Sequence, residues 1–139
     1  MIVLDVNILV AAAGGEHPDH PACALFLKNC LQQGDVIIPD IVWSGFIRII
    51  TNAKAVGQSP SWSSIRAFIA AVQHHPGYRA DVRSLTAPLD SFVSLCQAVN
   101  ARRNLVSDAY IAAIALEHNA SVGTFDADFG RLGVPVVHP

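Results

Sequence analysis

The fold class is indicated most clearly by residues 104–132, NLVSDAYIAAIALEHNASVGTFDADFGRL. Its apolar spacing predicts a helix from Ser107 to Asn119, where an asparagine can end the last turn. A short apolar run, SVGTF at 121–125, then predicts a strand, and VPVVH at 134–138 predicts another. A helix that leads into such a strand is typical of α/β proteins, in which helices cover a parallel sheet.

The rest of the chain shows the same alternation of strands and helices. Further strands are predicted at 1–5, 35–39 and 81–86, of which the last, DVRSLT, is polar enough for a sheet edge. Further helices are predicted from 6 up to Gly14, within 17–34, and at 40–52, 59–77 and 88–104, with a loop at 51–60. Strands and helices in this order are joined by right-handed crossovers, which gives a mostly parallel sheet.

Length and composition limit the architecture further. The chain has 139 residues, of which 52% are apolar and 14% are charged. Such an apolar chain is typical of strands that are buried on both faces. We therefore predict one domain over 1–139, an α/β fold of three layers with about five strands in a mostly parallel central sheet and helices on both faces.

The sequence also argues against a membrane or secreted protein. No apolar run reaches the ~18–20 residues that a membrane span needs, and Asp5 and Asn7 interrupt the apolar N-terminus, which has no basic region before it. Cys23, Cys30 and Cys96 are odd in number and show no CxxC spacing, which favours reduced thiols. We expect a cytoplasmic protein, whose net charge of −2 neither indicates nor excludes nucleic acid.

Four aspartates lie where predicted strands end or where a predicted helix starts. They are Asp5, Asp108, Asp126 and Asp128. Each one alone is explained by a helix cap or a turn, with Ser107 or Asp108 as the cap of the 107–119 helix. Ligands of parallel sheets bind at the carboxyl ends of the strands, so these acids can also share one site. Converging carboxylates without Lys or Arg beside them repel each other, and a cation offsets that repulsion.

The chemistry of this acidic group favours a phosphodiester hydrolase. Oxygen ligands without His or Cys favour Mg²⁺ or Mn²⁺ over zinc, and such an ion polarises a phosphate and activates water. The chain contains no GxxxxGK[ST] or GxGxxG loop and no GxSxG elbow. Hydrolysis of a phosphodiester is therefore a sharper hypothesis than nucleotide-dependent or serine-based chemistry.

Three segments together resemble the PIN domain and, within it, the VapC-type toxins of toxin–antitoxin systems. They are MIVLDVNILV at the start, the 104–132 stretch, and VPVVHP at the end. The resemblance spans nearly the whole chain. It implies a metal-dependent endoribonuclease that hydrolyses RNA, is usually a homodimer, and is held inactive by a cognate VapB-type antitoxin whose peptide lies over the acidic site.

The resemblance also assigns roles to individual residues. The catalytic and metal-binding acids would be Asp5, Asp108 and Asp126, with Asp128 as a further metal ligand, and Asn7 and Thr124 would support them as polar neighbours. Mg²⁺, or Mn²⁺, would be the cofactor.

One position departs from the family pattern. The usual Glu of the third helix aligns with Gly45, which shares a stripe with Ile41, Arg48 and Asn52 at 3.6 residues per turn. This stripe is the least apolar side of the helix, so we expect it to face a polar cleft. A carboxylate there, in Gly45→Glu, would then tighten Mn²⁺ binding, unless the glycine serves a close helix approach.

Support for RNA contacts in the sequence is thinner. Arg48, Arg102 and Arg103 are candidate contacts to phosphates, although solubilising surface charge explains them equally well. Trp43 and Trp62 can stack on bases, but Trp43 falls on the apolar stripe, where a core position is more common.

Two other readings stay open. The first is a PIN-like module that has lost efficient catalysis and acts mainly by binding RNA or antitoxin. The second is a phosphatase of the haloacid-dehalogenase type, which also begins with an Asp after the first strand but needs a second Asp where this chain has Asn7. A receiver domain is disfavoured, because it needs an acceptor Asp where 51–60 predicts a loop.

Overall fold

A four-stranded parallel sheet forms the centre of the fold. The computed structural model describes residues 1–82 and 86–139. The strands are β1 (Ile2–Leu4), β2 (Val36–Ile37), β3 (Ser121–Gly123) and β4 (Val136–Val137), in the order β2-β1-β3-β4. All three pairings are parallel, which confirms the predicted α/β class with helices flanking the sheet.

The register of the sheet brings the predicted site residues together. Leu4 of β1 pairs with Gly123 of β3, so the next residues along each strand, Asp5 and Thr124, emerge side by side at the carboxyl edge. Gly123 also pairs with Val137 of β4. The sheet therefore delivers the ends of three neighbouring strands to one place.

Seven α-helices surround the sheet in the described part of the chain. They are α1 (Val6–Ala13), α2 (His20–Gln33), α3 (Asp40–Ile50), α4 (Ala53–Val56), α5 (Trp62–Gln73), α6 (Leu89–Ala98) and α7 (Asn104–Glu117). Asn119 ends α7 as predicted. It adopts φ 51°, and the Ala120 amide then donates back to the carbonyl of Ala115.

The predicted start of α7 was wrong. The helix begins at Asn104, so Ser107 and Asp108 lie within it and cap nothing. The residue at the cap position is Arg103, with φ 52° and no side-chain cap bond, and no local signal in the sequence marks such a start. Because Asp108 is not used as a cap, its carboxylate is available to the cleft.

Two further expectations differ from the structure. The predicted strand at 81–86 begins in a 3₁₀ turn, Ala80–Val82, where the Arg79 guanidinium donates to the carboxylates of Asp81 and Asp35; positions 83–85 lie outside the described residues. The predicted loop at 51–60 contains α4, which the Asn52 side chain caps by accepting from the Lys54 amide. The described residues hold four strands rather than about five.

The core is almost entirely apolar. Helix α3 contributes Val42, Trp43, Phe46 and Ile50 to it, and Trp43 is thus a core residue, as its place on the apolar stripe predicted. Within the described residues, the only buried polar or charged side chains are those of Asp5, 5% exposed, and Thr124, fully buried. In the same part of the chain, no helix is both long enough and apolar enough to cross a membrane.

Candidate active site

A hydrogen-bond network holds Asp5 at the carboxyl edge of the sheet. One carboxylate oxygen accepts from the Val6 amide at 2.6 Å, so Asp5 also caps α1. The other oxygen accepts from the Thr124 hydroxyl at 2.8 Å. A helix cap, one of the explanations given for this residue from the sequence, is therefore confirmed, whereas its role in a metal site stays a prediction.

The Thr124 hydroxyl organises this network. It accepts from Asn7 Nδ2 at 2.9 Å and from the Asp126 amide at 3.0 Å. With both lone pairs used, its single proton is directed at Asp5. A buried threonine therefore fixes the position of Asp5, Asn7 and the start of the 126–128 turn at once.

The carboxylates of Asp5, Asp108 and Asp126 line one cleft of about 370 Å³. Asp108 reaches it because α7 packs against β1 and β3, as expected if that helix lies beside the sheet edge. Two further predicted residues, Asn7 and Arg48, line the same cleft. Helix α7 also presents Asn104 and Ser107 there.

Burial and nearby charge make Asp5 harder to ionise. Desolvation raises its pKa from 3.8 to about 6, although the hydrogen bonds from Thr124 and Val6 act in the opposite direction. The negative charge of Asp126 adds to the increase. The site therefore stabilises a carboxylate only incompletely with the chain's own groups.

Asp108 is affected more strongly. Its pKa is raised from 3.8 to about 7, chiefly by burial and in addition by the negative charges of Asp5, Asp126 and Asp128. Among the described residues, no hydrogen-bond donor reaches its carboxylate. A carboxylate with three acidic neighbours and no hydrogen-bond donor is stabilised most by a bound cation.

Asp126 and Asp128 follow β3 and form a turn of their own. The Asp126 carboxylate accepts from the Asp128 amide at 2.9 Å and starts a 3₁₀ helix, Ala127–Leu132. Asp128 lies outside the cleft lining, with its side chain 57% exposed and 3.7 Å from the guanidinium of Arg131. The turn reading was therefore correct for this pair, while Asp126 also faces the cleft.

The donor chemistry of the cleft fits a hard divalent cation. Its candidate ligands are carboxylate oxygens, and Asn7 Oδ1 is buried without a hydrogen-bond partner in the described structure. In the described part of the chain, no three His, Cys, Asp or Glu side chains are arranged so that they could hold a metal ion. The fit to a divalent cation therefore depends on the type of donor atom and on the cleft that the carboxylates share.

Gly45 serves a close helix contact. A Cβ at this position would lie 2.7 Å from Cγ2 of Val6, so α3 could not approach α1 as it does with any larger residue. Arg48, one turn later on the predicted stripe, does line the cleft. A Glu side chain at Gly45 would have to displace Val6 before it could add a ligand.

The other basic candidates lie away from the cleft lining. Arg102 and Arg103 are exposed just before α7, and Arg102 donates to the carbonyl of Ala101. His17 and Phe125 also line the cleft, although no pattern in the sequence indicated them. His17 lies in the loop between α1 and α2, and its neighbours in sequence give no signal beyond the Gly14–Gly15 break.

The sequence is similar to one known family and to individual proteins over nearly its full length. The family model described as the PIN domain matches residues 2–135. The chain is 32% identical over 136 residues to ribonuclease VapC25 of Mycobacterium tuberculosis, covering 94% of this chain and 92% of that protein. It is 31% identical over 139 residues to VapC ribonuclease Mb2897 of Mycobacterium bovis, covering 94% and 89%.

Solved structures have the same fold. FitAcB from Neisseria gonorrhoeae matches with a TM-score of 0.67 at 18% identity, covering 98% of this chain and 96% of that one. VapBC2 from Rickettsia felis, bound to a DNA fragment from its promoter, matches with a TM-score of 0.65 at 19% identity, covering 99% and 98%. At these identities the likeness concerns the fold alone.

Proposed function

The chain belongs to the PIN domain family, and from that premise we propose that it is a Mg²⁺- or Mn²⁺-dependent endoribonuclease, a toxin of the VapC type. The single observation that carries the proposal is the cleft in which Asp5, Asp108 and Asp126 converge. The relatives named as ribonucleases support the reaction, and the carboxylate donors support the cofactor.

Asp5, Asp108 and Asp126 would hold the cation, with Asp128 as an outer ligand. When bound, Mg²⁺ or Mn²⁺ supplies Lewis-acid activation of the phosphate and of water. Thr124 keeps Asp5 in one orientation through its 2.8 Å hydrogen bond, and it orders Asp126 through the 3.0 Å bond from that residue's amide. These two carboxylates are thus positioned before any ligand arrives.

Arg48 is the cationic side chain in the cleft lining and would bind a phosphate of the RNA. Its guanidinium can donate two hydrogen bonds to phosphate oxygens, which would orient the scissile phosphate towards the carboxylates of the cleft. Asn104 and Ser107 offer further polar contacts from α7. Arg102 and Arg103 are exposed beside that helix and remain candidates for more distant phosphates.

The proposal includes a VapB-type antitoxin and a homodimer, as the family resemblance implies. An acidic cleft that is open on the surface can be closed by a peptide that brings a basic side chain to the carboxylates. The haloacid-dehalogenase alternative is disfavoured, because Asn7 occupies the position of the second Asp and its amide donates a hydrogen bond to Thr124.

A cleavage assay tests this function. Purified protein is incubated with total RNA in Mg²⁺, in Mn²⁺ and in EDTA, and Asp108→Asn is compared with Asp40→Asn, a matched exposed acid at the start of α3. We expect cleavage in either metal, none in EDTA, a loss of about a hundredfold or more in Asp108→Asn, and no change in Asp40→Asn.

Equal background cleavage by wild type and Asp108→Asn at micromolar protein would contradict the enzyme. A second candidate, the catalytically weakened binding module, is favoured by one observation: the position expected to hold a fourth carboxylate is occupied by the contact between Gly45 and Val6. RNA binding without metal-dependent cleavage would support that candidate.

A further inference from the structure

A second cleft adjoins the first and has no role in the chemistry described above. It has a volume of about 440 Å³ and lies between the α1–α2 loop and the segment from α4 to the start of α5. Val10 and His17 line both clefts. A ligand held by the carboxylates can therefore extend into the second cleft, here called the adjoining cleft, without leaving the protein surface.

The lining of the adjoining cleft does not suit a phosphate. It contains no Lys or Arg among the described residues, and its one carboxylate is that of Glu16. Apolar side chains such as Ile50 and Val56 form part of its surface. A flat uncharged group with a few polar atoms on its edge fits these walls better than an anion does.

Ser59 lines the adjoining cleft and carries a hydroxyl that is unpaired within the described part of the chain. Its hydroxyl oxygen is buried and has no partner in the described structure, which is costly unless a ligand or water supplies one. Gln58 and Ser61 add polar groups from the same segment. Trp62 follows directly, and 61% of it is exposed to solvent.

His17 lies at the junction of the two clefts, and one of its ring nitrogens accepts a hydrogen bond within its own loop. The Asp19 amide donates to its Nδ1 at 3.1 Å, so the neutral ring carries its proton on Nε2. This leaves one ring N–H as a donor where a chain would pass from one cleft to the other. A nucleotide next to the scissile phosphate offers acceptors for this N–H on the edges of its base and on its ribose.

We propose that the adjoining cleft binds the base of a nucleotide that flanks the scissile phosphate in single-stranded RNA. This rests on the proposed ribonuclease function and deepens it, since the carboxylate cleft would hold the phosphate while the adjoining cleft would hold the base. Stacking and edge hydrogen bonds to unpaired bases are the usual means by which proteins bind single-stranded RNA.

Gly15 provides a way to block the adjoining cleft without disturbing the fold. A Cβ built there meets no atom within 4 Å, so Gly15→Leu can be accommodated, and Gly15 itself lines the adjoining cleft. Gly130 has the same open surroundings and is also exposed, and it lies in neither cleft lining. Gly130→Leu is therefore the matched control.

Binding is measured by fluorescence anisotropy with a labelled, mixed-sequence ten-nucleotide single-stranded RNA, in the Asp108→Asn background to prevent cleavage. We expect Gly15→Leu to weaken binding about tenfold or more and Gly130→Leu less than about twofold. Ser59→Ala should weaken binding a few-fold while its melting temperature stays the same or rises, because it removes an unpaired buried hydroxyl. This second variant gives a result even if Gly15→Leu folds poorly.

Unchanged RNA affinity in both Gly15→Leu and Ser59→Ala would overturn the proposal. Cleavage assays on Gly15→Leu and Ser59→Ala with Asp108 intact distinguish a failure of this proposal from a failure of the ribonuclease function. RNA that is cleaved equally by wild type and Gly15→Leu contradicts the adjoining cleft and leaves the enzyme standing. RNA that is not cleaved at all, but binds more weakly to Gly15→Leu, contradicts the enzyme and supports the cleft.

Discussion

The two sides of the carboxylate cleft are built differently. The sheet wall, formed by Asp5, Asn7, Thr124 and Asp126, is connected by hydrogen bonds of 2.8 to 3.0 Å that meet at one hydroxyl. The helix wall, formed by Asn104, Ser107 and Asp108 of α7, contributes a carboxylate that accepts no hydrogen bond from the described residues. The sheet wall is thus held by hydrogen bonds within the protein, whereas the Asp108 carboxylate has no such partner among the described residues.

The largest expected effect is on metal binding when the organised wall loses its charge. Asp5→Asn should weaken Mn²⁺ binding by about a hundredfold or more, and by more than Asp108→Asn does, because Asp5 is already held in place. Isothermal titration calorimetry with Mn²⁺ measures both variants against wild type. An equal or smaller loss for Asp5→Asn would show that the two walls do not differ in this way.

The next effect concerns the hydroxyl at the centre of the sheet wall. Thr124→Val keeps the volume but leaves the Asn7 and Asp126 donors without their acceptor, and should lower the free energy of unfolding by about 2–3 kcal/mol. The control is Thr51→Val, whose exposed hydroxyl donates to the carbonyl of Ile47. Urea denaturation of both variants provides the measurement, and losses of similar size would contradict the network.

The pH dependence of stability tests the electrostatics of both walls. The folded protein holds protons on Asp5 and Asp108 with pKa values of about 6 and about 7, against 3.8 ordinarily. Between about pH 4 and 7 the folded state therefore binds more protons than the unfolded state, and stability falls as pH rises. We expect a lower melting temperature at pH 8 than at pH 5 in EDTA.

Asp108→Asn sharpens this test because it removes the carboxylate with the larger shift and no hydrogen bond within the described residues. Its melting temperature at pH 8 should exceed that of wild type, and its pH dependence should be flatter. A wild-type melting temperature that rises from pH 5 to pH 8 would be incompatible with the raised pKa values.

The smallest effect concerns the close contact between α3 and α1. Gly45→Ala gains roughly 1 kcal/mol of helix propensity but places a methyl group 2.7 Å from Val6, and we expect a net destabilisation of about 1 kcal/mol. Ser44→Ala, at the exposed neighbouring position of the same helix, is the control. A Gly45→Ala protein more stable than wild type would show that the contact yields easily.

Several features of the fold and of the carboxylate cleft could be predicted from the sequence. The alternation of strands and helices predicted the parallel sheet, and the positions of Asp5 and Asp126 after predicted strands placed both at one edge, because parallel strands end at one edge. The stripe of α3 correctly placed Arg48 in the cleft and Trp43 in the core. These conclusions depend only on periodicity and strand direction.

Other features depend on contacts that are distant in sequence. The start of α7 at Asn104 follows from a positive φ at Arg103, which no cap residue announces. The 3₁₀ turn at Ala80–Val82 accompanies the pairing of Arg79 with Asp35 and Asp81, of which Asp35 is 44 positions away. His17 enters both clefts through the path of the α1–α2 loop. Periodicity carries no information on such pairings.

The central claim is that the sheet wall and Asp108 together hold one divalent cation. A crystal soaked in Mn²⁺ and measured for anomalous scattering tests it most directly. We predict a single strong anomalous peak between the carboxylates of Asp5, Asp108 and Asp126. A protein that cleaves RNA in Mn²⁺ but shows no peak at these three residues, or a peak only elsewhere, would contradict the account.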